Sequence, residues 1–263
     1  MRKLKSMVLA ASMFVLPALA SAQNILIING SSGTSEPGTT SSITTNLRTL
    51  HEAVGNTVTV VDGVPASFSG FSQIWDIRFS NVFALTGGQQ SQYLSYLQGG
   101  GRVFMMGENS GFASRNSSIF SLINAAGGGS LAFANCGSSS QTVSAPFTGP
   151  NAVSSVSFNA PGCFNGTGTG QWITNNGSTG TGLAWTTGAL ANATAGTLTS
   201  ILDVNFMQNN QTINEQNLTR NLIGFVNNPP PVGVVPEPST YLLMATGLAG
   251  VVGISRRRRT GVR

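Results

Sequence analysis

From residue 23 onward, the hydrophobic positions of this chain switch between two periods. NILIING (24–30) is a short apolar run closed by glycine, as expected of a strand buried on both faces. TTSSITTNLRTLHEAVG (39–55) sets Ile43, Leu47, Leu50 and Val54 three and four residues apart, which predicts a helix with one apolar face. NTVTVVDG (56–63) and FSQIWDIRF (71–79) return to strand character, and TGGQQSQYLSYLQGGG (86–101) predicts a second helix. RVFMMGEN (102–109) predicts a fourth strand and NSSIFSLINAAGGG (116–129) a helix ended by glycine. GLAWTTGAL (182–190) and GTLTSILDVNFM (196–207) read as late strands, and NEQNLTRNLIGFVNN (214–228) as a closing helix with Leu218, Leu222 and Phe225 on one face.

Strands alternating with helices predict an α/β domain over 23–228, with a mainly parallel sheet covered on both faces in three layers. A domain of that length can bury one sizeable core. Residues from about 130 to 182 differ. Gly, Ser, Asn and Thr dominate there, and the stretch reads as an insertion of short β segments and loops. Residues 229–235 are a proline-rich linker, stiff because consecutive prolines favour polyproline II. No repeat of solenoid or propeller period occurs, and Thr and Ser lack the fixed interval of an ice-binding β-helix face.

The two ends of the chain carry different signals. Arg2, Lys3 and Lys5 precede an apolar run, Met7 to Leu19, followed by Ala20-Ser21-Ala22. That is the layout of a secretory signal peptide over 1–22, with Gln23 as the new N-terminus after cleavage. At the other end, Pro236-Glu237-Pro238 precedes an apolar segment (240–255) and the run Arg256, Arg257, Arg258 and Arg259. Its apolar core, Tyr241 to Ile254, would span about 21 Å as a helix. That is short for a permanent crossing of a hydrocarbon layer about 30 Å thick, although tilt and arginine snorkelling allow a transient one. The arginines would stay cytoplasmic and the domain outside.

Locating the charges changes the meaning of the overall +5. Between Gln23 and Val234 the chain has five arginines, no lysine and seven carboxylates, so the mature domain is weakly acidic. Nucleic-acid binding through phosphate neutralisation is not expected. Cys136 and Cys163 both lie in the exported part, where an even pair is most simply a disulfide. It would close a loop of 27 residues and contribute about 3 kcal/mol.

The tail resembles the PEP-CTERM sorting signal in all three of its parts: Pro236, Glu237 and Pro238, the short apolar helix, and Arg256 to Arg259. The resemblance implies an exported protein of a Gram-negative bacterium, held transiently at the inner membrane. An exosortase-type membrane enzyme would cut it near the PEP motif, leaving it at the cell surface or outside. The middle domain is similar, by the order of ILIING, VTVVDG, QIWDIRF, GGRVFMMGEN and LDVNFM, to the class I glutamine amidotransferase-like fold and its ThuA-like branch. In enzymes of that fold a Cys sits in a Gly-x-Cys-x-Gly elbow after a strand. Here the stretch is GENSG (107–111), and Asn109 stands at the nucleophile position.

An amide has no ionisable nucleophilic atom, so acyl transfer by that route is lost. The single histidine, His51, falls in the first helix and reads as a surface or boundary residue, too far from the elbow to activate Ser110. NGSSGTS (29–35) could cradle an anion at a helix N-terminus but lacks the spacings of the dinucleotide and P-loop motifs, so it reads as a plain turn first. No cofactor is expected. What remains is a set of six polar residues at or just beyond predicted strand ends: Asp76 and Arg78, Glu108 and Asn109, Asp203, and Arg115 just beyond. Carboxyl ends of strands gather along one edge of an open α/β sheet, where ligands usually bind. The six residues are therefore either a polar pocket or a network of ion pairs bracing loops. Two functions follow: a non-catalytic exported protein with possible contact to extracellular polysaccharide, or a hydrolase of such polysaccharide using Glu108 and Asp203, with or without a carboxylate-held metal.

Overall fold

The computed structural model describes residues 22–227; the expected signal peptide up to residue 21, the linker 229–235 and the tail with its 240–255 segment lie outside the described residues. The elements run β1 (Asn24–Ile28), α1 (Pro37–Ala53), β2 (Thr57–Val61), β3 (Gln73–Asp76), α2 (Gly87–Gln98), β4 (Arg102–Met106) and α3 (Ala113–Ala125). Then follow β5 (Phe133–Asn135), β6 (Ser139–Val143), β7 (Ser155–Phe158), β8 (Gly162–Phe164), β9 (Gln171–Asn176), β10 (Thr179–Trp185), β11 (Thr197–Ile201) and α4 (Ile213–Asn227). Among the described residues no helix is long and apolar enough to cross a membrane.

The sheet order is β2-β1-β3-β4-β11-β10-β9-β6-β7. The first five strands are parallel: β1 pairs β2 and β3, β3 pairs β4, and β4 pairs β11 from Arg102↔Thr197 to Met106↔Ile201. Beyond β11 every pairing is antiparallel. The expectation of a mainly parallel sheet is thus corrected to a mixed one. The cause is the stretch read as an insertion. Parallel neighbours need a crossover, usually helical, whereas antiparallel ones need only a hairpin. Between α3 and α4 the chain has no α-helix, and β9 turns into β10 through Gly177 and Ser178 alone, with Gly177 at φ +68°. The segments after α3 therefore extend the main sheet, and β5 pairs with β8 beside it. The Cys136–Cys163 disulfide (Cα–Cα 5.7 Å) joins this pair at the end of β5.

The side chains sort into two layers. Ile25, Ile27, Trp75, Phe104 and Met106 face α1 and α4, burying Ile43, Leu47, Leu218 and Leu222. Leu26, Ile28, Ile74, Val103 and Met105 face α2 and α3, burying Tyr93, Leu97, Ile119 and Leu122. α1 starts on Pro37, whose fixed φ suits a first helical turn, and α2 on a capping box between Thr86 and Gln89. At the edge where the strands begin, the ends of the domain meet. The Gln23 side chain donates to the Asn227 carbonyl (3.3 Å), Gln73 donates to Gln23 (2.7 Å) and to the Asn227 side chain, and Arg102 donates to the carbonyls of Val226 (3.2 Å) and Asn227.

Candidate functional site

The strand order 2-1-3-4 with β11 as the fifth parallel strand places the reversal of winding between β1 and β3, and the crevice beyond their carboxyl ends is the usual ligand position. Here it is filled. Gly30, at φ +64°, carries the chain out of β1 so closely that a Cβ would meet the Phe83 ring at 2.7 Å and Arg78 Cγ at 2.8 Å. The Arg78 guanidinium lies 5.5 Å from the centre of the Phe83 ring. Two serines of NGSSGTS, Ser31 and Ser32, are tied at the surface to a carboxylate of the chain. Asp62, after β2, accepts from the Ser32 amide (2.8 Å), the Ser31 hydroxyl (2.9 Å) and the Ser32 hydroxyl. The stretch is a turn closed by a carboxylate of the chain itself.

Of the six residues expected at strand ends, three form one buried network. Asp76 Oδ1 accepts from Arg78 Nε (2.8 Å) and pairs with Arg115 Nη2 (3.2 Å); Oδ2 accepts from Arg78 Nη2 (2.7 Å) and the Tyr93 hydroxyl (2.8 Å). Arg115 also donates to the carbonyls of Met106 (3.2 Å) and Phe83 (3.1 Å). The network spans the ends of β3 and β4, the second turn of α2 and the first turn of α3. Burial alone would raise the Asp76 pKa, but Arg115 and Arg78 outweigh it and bring it down to about 2. Tyr93 shifts the other way, pushed well up by burial and by Asp76. Sequence reading passed over Tyr93, although it shares the buried face of α2 with Leu97, four residues on.

Glu108 and Asp203 form a second group, and no hydrogen bond or ion pair joins it to the first among the described residues. Glu108 Oε1 accepts from the Asn109 amide (2.9 Å) and Oε2 from the Val204 amide (2.8 Å), so it bridges the ends of β4 and β11. Asp203 Oδ1 accepts from the amides of Asn205 (2.8 Å) and Phe206 (3.1 Å), while Oδ2 is buried without a partner. Burial, then the Asp203 charge, raises the Glu108 pKa to about 8; burial raises that of Asp203 to about 7. Both side chains are closed off, 3% and 0% exposed.

The nucleophile position of the elbow is Asn109. Asn109 has φ −62° and ψ −175°, ordinary extended backbone rather than a strained elbow, and its Oδ1 accepts from the Gly111 amide (2.9 Å). Asn116 underpins the turn, accepting from the Glu108 amide (3.0 Å) and donating to the carbonyls of Glu108 (2.7 Å) and Asn109 (2.9 Å). His51 is not at the surface or at its boundary, as the sequence suggested. It is 0% exposed, edge-on to Trp75 with ring centres 5.0 Å apart, and its Nδ1 is 3.2 Å from Asn56 Nδ2. Burial lowers its pKa to about 3, so it is neutral.

A pocket of about 350 Å³ opens beside the elbow between Ser110, Ser117 and Phe120 of the α3 side and Leu131 and Phe133 of the β5 side; no ionisable side chain lines it. Among the described residues no group of three or more His, Cys, Asp or Glu side chains is arranged to hold a metal ion.

Comparison with known proteins separates tail from domain. A search of curated protein sequences finds no match. Among solved structures, the mmIFT52 N-terminal domain is similar over 80% of this chain and 99% of its own length, with TM-score 0.56 and 9% identity. A ThuA-like protein from Bacteroides uniformis is similar over 76% and 89%, with TM-score 0.50 and 10% identity. At such identity these likenesses concern the fold alone, and the second supports the loose ThuA-like fold resemblance. Residues 234–259 match the PEP-CTERM protein-sorting motif. The chain therefore carries a PEP-CTERM signal, which marks an exported protein for processing by an exosortase, a membrane enzyme.

Proposed function

We propose that the domain is a non-catalytic, exosortase-processed protein of the cell surface or extracellular matrix. The observation that carries this reading is the occupation of each place where the fold could do chemistry. The elbow position is Asn109, spent on the Gly111 amide; the crevice beyond β1 and β3 is filled by Phe83 and Arg78; the only histidine is sealed against Trp75. Acyl transfer needs a nucleophile and a base within hydrogen-bond reach, and the described residues offer no such pair. Asp76, Arg78 and Arg115 act here as a brace, each answering the other's charge. Extracellular polysaccharide remains the partner expected of a weakly acidic, Asn-, Gly- and Thr-rich domain without lysine.

The test has two arms. The secreted protein is analysed by mass, with and without an exosortase; the expected result is an N-terminus at Gln23 and loss of the arginine tail only when the exosortase is present. The purified domain is then assayed against amide, ester and polysaccharide substrates beside its N109A, S110A and H51A variants. Turnover that disappears with any one of these changes would refute the non-catalytic reading.

A second reading keeps one supporting observation. Glu108 and Asp203 are neighbours with pKa values of about 8 and 7, the range of a general acid or base. Their burial weighs against hydrolysis, as do the two backbone amides that already occupy both oxygens of Glu108. Polysaccharide cleavage abolished by E108Q or D203N would restore it.

A further inference from the structure

The residue before β1 has a chemistry that depends on how the chain is cut. Gln23 follows the Ala20-Ser21-Ala22 pattern, and cleavage after Ala22 gives it a free α-amine. A glutamine in that position can cyclise. The neutral amine nitrogen attacks the side-chain carbonyl carbon Cδ of the same residue, a C–N bond closes the lactam ring, and the Cδ–Nε2 bond breaks. The carboxamide nitrogen leaves as ammonia with one proton taken from the amine, so the step balances without an oxidant, reductant or co-reactant. Its one requirement is freedom, because the side chain must fold back onto its own amine.

The fold withholds that freedom. The Gln23 backbone nitrogen donates to Asn56 Oδ1 (3.1 Å), and Asn56 is buried, its Nδ2 lying 3.2 Å from His51 Nδ1. The Gln23 carbonyl accepts from the Thr57 amide (2.9 Å). The carboxamide is held from the other side of β1. Its Nε2 donates to the Asn227 carbonyl (3.3 Å), and its Oε1 accepts from Gln73 Nε2 (2.7 Å), which also donates to the Asn227 side chain. Gln73 is fully buried, with its own Oε1 taken by the Trp75 ring nitrogen (2.9 Å), so it cannot swing away with Gln23. In the sheet order β2-β1-β3, the amine is thus tied toward β2, while the carboxamide is tied toward β3 and the end of α4. Ring closure has to break the bond on the amine and both bonds on the carboxamide.

We propose that Gln23 is a latent site of N-terminal pyroglutamate formation, kept unreacted by Gln73 and Asn227 for as long as the end of α4 stays seated. The proposal rests on the exported reading of the chain and on cleavage after Ala22. The change runs one way. The lactam has no carboxamide NH2 to return to the Asn227 carbonyl, and its nitrogen is no longer a free amine. A molecule that has cyclised therefore cannot rebuild the original contacts at this edge, and its N-terminus is closed to aminopeptidases that need a free amine.

The test follows the mass of the N-terminal peptide of the exported, mature protein during incubation at pH 8, where about half of the α-amine is neutral. Cyclisation appears as the loss of one ammonia. The folded protein is compared with the same protein held unfolded in guanidinium chloride, and with the folded Q73A variant, which lacks the donor to Gln23 Oε1. Two hydrogen bonds on the carboxamide predict cyclisation about tenfold slower in the folded protein than in the unfolded one, with Q73A between them. Equal rates in the folded and unfolded protein, or a Q73A rate no faster than the wild type, would overturn the proposal. Should Q73A fail to fold, the folded and unfolded wild type decide alone. A peptide that begins at another residue refutes the cleavage and the proposal with it. A start at Gln23 with equal rates removes the proposal and leaves the exported reading intact.

Discussion

Replacing Asp76 by Asn tests whether the brace is structural in the sense used above. The carboxylate accepts from two nitrogens of Arg78, from Arg115 and from the Tyr93 hydroxyl, all inside the core. An amide of the same shape keeps one acceptor and turns an NH2 group toward donors. It also leaves two guanidinium ions buried without an anion. Removing one partner of a buried ion pair costs about 3–5 kcal/mol, mostly as stranded charge. A second, independent figure comes from titration. The Asp76 pKa is about 2 in the folded protein against 3.8 in its absence, so its ionised form contributes about 2.5 kcal/mol. Because the folded value is depressed, that contribution is complete above pH 4 and fades as pH falls toward 2. Urea unfolding followed by tryptophan fluorescence should show D76N about 3–5 kcal/mol less stable at pH 7, with the gap narrowed by about 2 kcal/mol at pH 2, where Asp76 is half protonated. A penalty under about 1 kcal/mol at pH 7, or a gap of constant size, would show that the arginines do not depend on this carboxylate.

Y93F removes one donor to Asp76 Oδ2 and should cost about 1–2 kcal/mol in the same assay, with the acid limb of unfolding moved to higher pH. Replacing Cys136 and Cys163 together by alanine should cost about 3 kcal/mol, the value for a loop of 27 residues, read as a lower urea midpoint. Buried neutral His51 has its pKa lowered from 6.5 to about 3, so the stability it supports is whole above pH 6.5 and lost as pH falls toward 3; H51Q should flatten that part of the stability profile.

The parallel half of the fold was legible because its strands are continuous apolar runs and its helices keep Ile43, Leu47, Leu218 and Leu222 at helical spacing. The antiparallel half was less so, because several of its buried positions are polar. Gln141, Thr174 and Thr181 are almost completely covered, yet hydrophobic patterning passes over them. His51 was misplaced although the signal existed: it follows Ile43 and Leu47 at the next four-residue step and so belongs to the same buried stripe. At the site, the positions of Asp76, Arg78, Glu108 and Asp203 at strand ends could be read from the sequence, with Arg115 just beyond. Their division into two groups could not, because it depends on which side of the sheet each end presents and on partners, Tyr93 and the Val204 amide, that carry no sequence signature.

The clasp of Gln23, Gln73, Arg102 and Asn227 has a mechanical meaning. Whatever precedes residue 22 and whatever follows residue 227 leave the domain from one edge, the one opposite Glu108, Asp203 and the elbow. Tension applied through the C-terminal side is met first by Arg102 at the start of β4 and Gln73 at the start of β3, the two residues that hold the last residues of α4. A domain tied down at that edge presents the other end of its sheet outward, with the pocket at its tip.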